Sequence, residues 1–136
     1  MLKQYIQFQM RPIISSTQLI AACGLYCGAC RKYRRNRCPG CRTPDSEILS
    51  LGLPRNKWLQ RCGIRKCCKT KGFSTCAECD TDVRCCEKHN GLVGRLFSLL
   101  FNSDRAACIR YIRSNGEQAF ADRMSWNEQK TIRKRT

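Results

Sequence analysis

Valine is nearly absent: the 136 residues contain two, Val83 and Val93. So little valine argues against a β-sandwich or a parallel sheet. Histidine occurs once, as His89, and the first 44 positions hold no acidic residue, Asp45 being the first. No apolar run approaches the ~18 residues of a membrane span. The longest apolar patch, Leu92 to Phe101, is interrupted by Gly94, Arg95 and Ser98. The motifs H-E-x-x-H, G-x-x-x-x-G-K-[ST] and G-x-G-x-x-G are missing too, so no conventional active site is legible and a binding module is favoured over an enzyme.

What the chain does have is cysteine. The hydrophobic share of 42% includes 13 cysteines. The aliphatic and aromatic remainder makes a thin core, so disulfides or metal must help hold the fold. Thirteen is odd, so complete internal disulfide pairing is impossible. Ser15, Ser16, Thr17 and Gln18 interrupt the stretch before Ile20-Ala21-Ala22-Cys23, which therefore lacks the apolar region of an export signal. A reducing cytoplasm is the expected compartment, and metal ligation the expected use of the thiols.

The spacing supports that use. Three C-x2-C pairs occur, at 27/30, 38/41 and 76/79, and Cys62 and Cys67 form a looser one. A two-residue spacer turns the backbone so that two thiolates face one ion. The predicted ligands are Cys27, Cys30, Cys38, Cys41, Cys62, Cys67, Cys76 and Cys79, with Cys23 and Cys86 as alternatives. Two closed four-ligand sites, about two zinc ions, would result. A local scheme joins 27/30 to 38/41 and 62/67 to 76/79. A crossed scheme joins 38/41 to 62/67 and 27/30 to 76/79. Cys68, Cys85 and Cys108 read as small apolar fillers, and His89 as a solvated or structural residue. The alternative cofactor is an iron–sulfur cluster, or the thiols serve redox chemistry. Cys23-x3-Cys27-x2-Cys30 has the spacing of a radical enzyme's cluster without its barrel, and Cys27-Gly28-Ala29-Cys30 that of a thioredoxin pair without its βαβ unit.

Charge is the second excess. Lys and Arg total 26 against 10 acidic residues, a formal +16. Eight thiolates around two divalent ions would remove about four units of it. The surface suits nucleic acid, acidic lipid headgroups or an acidic protein. The densest run is Arg31-Lys32-Tyr33-Arg34-Arg35-Asn36-Arg37. On a helix, Arg31, Lys32, Arg34 and Arg35 share one arc, a tentative nucleic-acid face, while Tyr33 turns inward. Trp58 and Trp126 lack an aromatic stripe and read as packing residues.

The expected architecture is a small, mostly α, metal-stabilised domain with irregular cysteine knuckles. Zinc-ribbon-like or treble-clef-like elements would fit those knuckles. Residues 1–22 form a lead-in, 23–90 the cysteine-rich metal-binding domain, and 91–136 a helical extension packed on it. Helices are predicted over Gly28–Asn36, Pro54–Arg61 and Ile64–Lys71, the last ended by Gly72. Two more run from Asp104 to Ser114, capped by Ser103 or Asn102, and from Glu117, burying Phe120 and Met124.

The motifs also come in a recognisable order. Cys23-Gly24-Leu25-x-Cys27-x2-Cys30 is followed by Cys38-Pro-Gly-Cys41 and Cys62-x-Ile64-Arg65-Lys66-Cys67. Lys71-Gly72-x3-Cys76-x2-Cys79 and Cys86-Glu87-Lys88 complete the set. Over residues 20–89 this resembles a cysteine-rich bacterial and archaeal family of unknown function that is taken to bind zinc. The resemblance implies a small metal-stabilised domain and no defined activity. The chain departs from the pattern at Leu59, where many members carry a cysteine, and in its short interval between Cys30 and Cys38.

Overall fold

The computed structural model describes residues 10–51, 56–81 and 86–133. Eight helices lie among them: α1 Arg31–Arg34, α2 Asp45–Leu51, α3 Asn56–Arg61, α4 Gly63–Lys71, α5 Glu87–Asn90, α6 Leu92–Phe101, α7 Arg105–Asn115 and α8 Glu117–Trp126. Short 3-10 turns occupy Thr17–Leu19, Cys27–Ala29 and Cys76–Glu78. Among the described residues, β pairing is confined to two isolated antiparallel bridges, Ile20–Tyr26 and Ser103–Arg133. The mostly helical class expected from the valine shortage is what forms.

The main core sits where α7 and α8 pack on the turns near the N-terminus. Ile20, Tyr26, Cys108, Ile112, Phe120, Ala121 and Met124 form one buried cluster. The Tyr26 ring meets Phe120 edge-on at 6.4 Å, the arrangement that ring quadrupoles favour. Its hydroxyl donates to the Ile14 carbonyl and accepts from the Ser16 amide, so the buried phenol is satisfied. The lead-in, the cysteine-rich stretch and the C-terminal helices thus share one core. A smaller cluster gathers Cys38, Ile48 and Leu59, with Cys41 against it.

Several helix boundaries follow the predicted chemistry. Gly72 ends α4 with φ +75, a left-handed conformation suited to glycine. Phe120 and Met124 are fully buried on α8. Others differ. The Gly28–Asn36 helix is reduced to the single turn α1, because Cys30 stays extended at φ −73, ψ 128. Asp104, rather than Ser103 or Asn102, caps α7, accepting from the Ala107 amide. Asn102 instead closes α6 in the left-handed region, and Ser103 is buried against Thr131 at 2.7 Å. Trp126 is 88% exposed, so its expected packing role is wrong. It is the last residue of α8, four positions after exposed Asp122 and beyond the buried Phe120, Ala121 and Met124. The start at Pro54 and the side chain of Trp58 lie outside the described residues.

Candidate metal centre

Two of the three C-x2-C pairs fold identically. At Cys27–Ala29 and at Cys76–Glu78 a 3-10 turn forms, and the second cysteine donates its amide to the carbonyl of the first. The distances are 2.9 Å for Cys30 to Cys27 and 3.1 Å for Cys79 to Cys76. The third pair bends through Pro39 and Gly40, whose φ is +99. There the Cys41 amide points at the Cys27 sulfur, 3.5 Å away, as amides do around metal-bound thiolates. Cys27 and Cys38 are buried, and Cys30 and Cys41 half-buried.

The thiols fall into two neighbourhoods. Cys23 lies within electrostatic range of Cys41 and Cys62, and burial followed by the Cys41 charge pushes its thiol up to about 12. In the second neighbourhood the Cys76 sulfur is 3.6 Å from Cys68 and 3.1 Å from His89 Nε2. Cys76 also feels the charges of Cys23 and Cys86. The hydrogen bond within the Cys68–Cys76 pair raises the Cys76 thiol and lowers that of Cys68. His89 is 7% exposed. Its burial, with Arg105 nearby, lowers its pKa to about 4, and among the described residues its Nδ1 has no hydrogen-bond partner. The sequence reading of Cys68 as a filler and His89 as a solvated or structural residue does not anticipate that both touch Cys76. His89 lies 13 residues from Cys76, a separation with no motif to reveal it. Cys108 does behave as a filler: it is fully buried, and its sulfur accepts from the Ile132 amide at 3.3 Å.

Cys62 stands just before α4, Cys67 lies within it, and Cys86 precedes α5. Cys79 is half-buried, with Lys71 Nζ 3.9 Å from its sulfur. Cys85 lies outside the described residues. Among the described residues, no three His, Cys, Asp or Glu side chains converge closely enough to hold an ion.

Two arginines clamp the knuckles from helices. Arg65 on α4 donates to the carbonyls of Cys41 at 2.9 Å and Thr43 at 2.6 Å, and pairs with Asp45 at 2.6 Å. Arg113 on α7 donates to the carbonyls of Ala77 at 3.1 Å, Cys76 at 3.4 Å and Cys79 at 2.7 Å. Each uses the planar fork that lysine lacks. A single arginine in a basic chain carries no sequence signal.

The basic run is rearranged by its short helix. Arg31, Lys32 and Arg35 are exposed. Arg34 is partly withdrawn, its Nε donating to the Arg11 carbonyl at 3.1 Å. Arg11 lies 4.4 Å from the Tyr33 ring centroid, so Tyr33 is covered by a cation. A second basic surface is an open cleft of about 990 Å³ lined by Arg110, Arg123, Arg133, Tyr111, Asn115 and Asp104, among others. Its arginines come from α7, α8 and the segment after α8, so no run in the sequence announces it.

Comparison with protein-family models, curated proteins and solved structures finds no match for this chain.

Proposed function

We propose that the chain is a structural zinc-binding module, carrying about two ions, whose basic surface engages the phosphates of nucleic acid. The contact of Cys76 with both Cys68 and His89 carries the metal reading. In a tetrahedral zinc site, ligand edges are about 3.8 Å between sulfurs and about 3.5 Å from sulfur to imidazole nitrogen. The observed 3.6 Å matches the first edge and 3.1 Å is about 0.4 Å inside the second, so the three side chains would have to shift slightly to close on an ion. The donor set also fits chemically: neutral imidazole and crowded thiols are what a divalent ion binds, and it relieves the repulsion of neighbouring thiolates. Cys23 and Cys86, whose charges both reach Cys76, are the candidates to complete that site. For a second site the candidates are Cys41 and Cys62, within electrostatic range of Cys23, and Cys27, whose sulfur faces the Cys41 amide. The resemblance of the cysteine pattern to a family taken to bind zinc points the same way.

Such ions would hold the knuckles to α4 and α5, where apolar burial is thin, so their binding energy would be folding energy. Metal analysis with an optical spectrum tests this. About two zinc ions in a colourless protein support the proposal. Iron with a brown colour in anaerobic preparations, or a metal-free chain that folds, overturns it. The nucleic-acid part is tested by titrating labelled RNA and DNA at several salt concentrations. Failure to bind at low salt, or binding without salt dependence, defeats it.

A further inference from the structure

Four leucines protrude from one helix. Leu92 is 85% exposed, Leu96 55%, Leu99 75% and Leu100 69%. They occupy positions i, i+4, i+7 and i+8 of α6, an arc of about 100°. The opposite side of α6 is fixed by Gly94. A Cβ there would lie 2.5 Å from the His89 carbonyl oxygen and 2.8 Å from an Arg105 guanidinium nitrogen. Gly94 therefore faces the body of the protein, and the leucine stripe faces away from it. Exposed apolar stripes of this size mark interaction sites.

The charge around the stripe is of one sign. Arg95 is exposed on α6, beside the stripe, and Lys88 is exposed just before the helix. The bridge between Ser103 and Arg133 brings exposed Arg133 to the far end. Between Lys88 and Arg113 there are five cations and one carboxylate, Asp104, and that carboxylate caps α7.

We propose that α6 lies in the surface of an anionic lipid bilayer, its leucines in the acyl boundary and Arg95, Lys88 and Arg133 at the headgroups. A second copy would cover the leucines but bring together two chains of formal charge +16 each. Nucleic acid would neutralise the cations and leave the leucines in water. An anionic bilayer answers both features. The ten residues of α6 span about 15 Å, half a bilayer core, so the helix lies along the surface and does not cross it. The proposal is independent of the metal reading.

Flotation of the full chain with vesicles tests it. Vesicles of phosphatidylglycerol and phosphatidylcholine in equal parts should bind the chain, and phosphatidylcholine alone should bind it far less. The double variant Leu96→Glu, Leu99→Glu should lower partitioning onto the anionic vesicles by about tenfold or more. Arg95→Glu should lower it by about fivefold or more, on the anionic vesicles only. No binding to either vesicle overturns the proposal. So does full retention by the double variant, which would mean attraction by net charge alone. A dimer in sedimentation equilibrium that the double variant abolishes assigns the stripe to a second copy. A large drop in the double variant's thermal midpoint assigns it to the chain's own packing. Either result overturns the proposal.

Discussion

His89 Nε2 lies 3.1 Å from the sulfur of Cys76, and this contact joins α5 to a knuckle 13 residues earlier in the chain. If the pair shares an ion, His89→Ala should lower the zinc content by about one ion per chain. Cys108→Ala gives the contrast. Its sulfur is fully buried in the main core, where it accepts from the Ile132 amide. That change should leave the metal content alone and lower the thermal midpoint through a small cavity, costing about 1 kcal/mol. Metal analysis of both purified variants checks this. Unchanged zinc in the His89 variant removes the histidine from the ligand set.

Two glycines should respond to alanine in opposite ways. A Cβ on Gly28 would sit 2.7 Å from the Tyr26 ring, inside the core that the tyrosine anchors. Gly28→Ala should cost about 1–3 kcal/mol through overpacking. Gly63 opens α4, and among the described residues nothing lies within 4 Å of the same position. Gly63→Ala should gain up to about 1 kcal/mol, since alanine favours the helix and restricts the unfolded chain. Urea midpoints of the two variants, with unchanged slope, provide the measurement.

The sequence discloses spacing and local chemistry well. The C-x2-C repeats at Cys27 and Cys76 become matching turns, Gly72 ends its helix, and Phe120 with Met124 marks the buried face of α8. Helix α2 was within reach: Pro44 precedes it, and Asp45 and Glu47 occupy its first turn, the usual signs of a helix start. What stays hidden depends on contacts far apart in the chain. Arg65 and Arg113 matter because of the carbonyls they reach, and Cys68 because it meets Cys76. The Gly28–Asn36 prediction fails because helical propensity was extended through Cys30, which the knuckle keeps extended.

Asp45 gives the fold a pH-dependent element. Hydrogen bonds from Lys69 and then Arg65 hold its carboxyl below the ordinary value. A carboxyl pKa depressed on folding stabilises the protein above the unfolded pKa, and that contribution is lost as the pH falls through the folded value. Stability should therefore decline below about pH 4. Asp45→Asn should flatten that part of the profile and cost at most about 1 kcal/mol at neutral pH, because the site is partly exposed. Thermal midpoints between neutral and acid pH test it. A profile unchanged by the substitution would show that other groups set the acid limb.

The two basic surfaces can be separated by salt dependence. Arg110, Arg123 and Arg133 are exposed around one cleft, and Arg123 also lies 4.7 Å from the Tyr111 ring centroid. Arg31, Lys32 and Arg35 form the other surface, from which Arg34 is partly drawn toward Arg11. Each phosphate contact removed should reduce the slope of log affinity against log salt by about 0.7–0.9. If the cleft holds the nucleic-acid backbone, alanine at its three arginines should reduce the slope by about 2–3 and leave a dependence on Arg31, Lys32 and Arg35 near zero. The reverse result would place the contact at α1, and equal small losses would mean diffuse attraction by net charge. The cleft is the stronger candidate because its cations converge from three parts of the chain around Tyr111 and Asn115, giving phosphate and base different groups to meet.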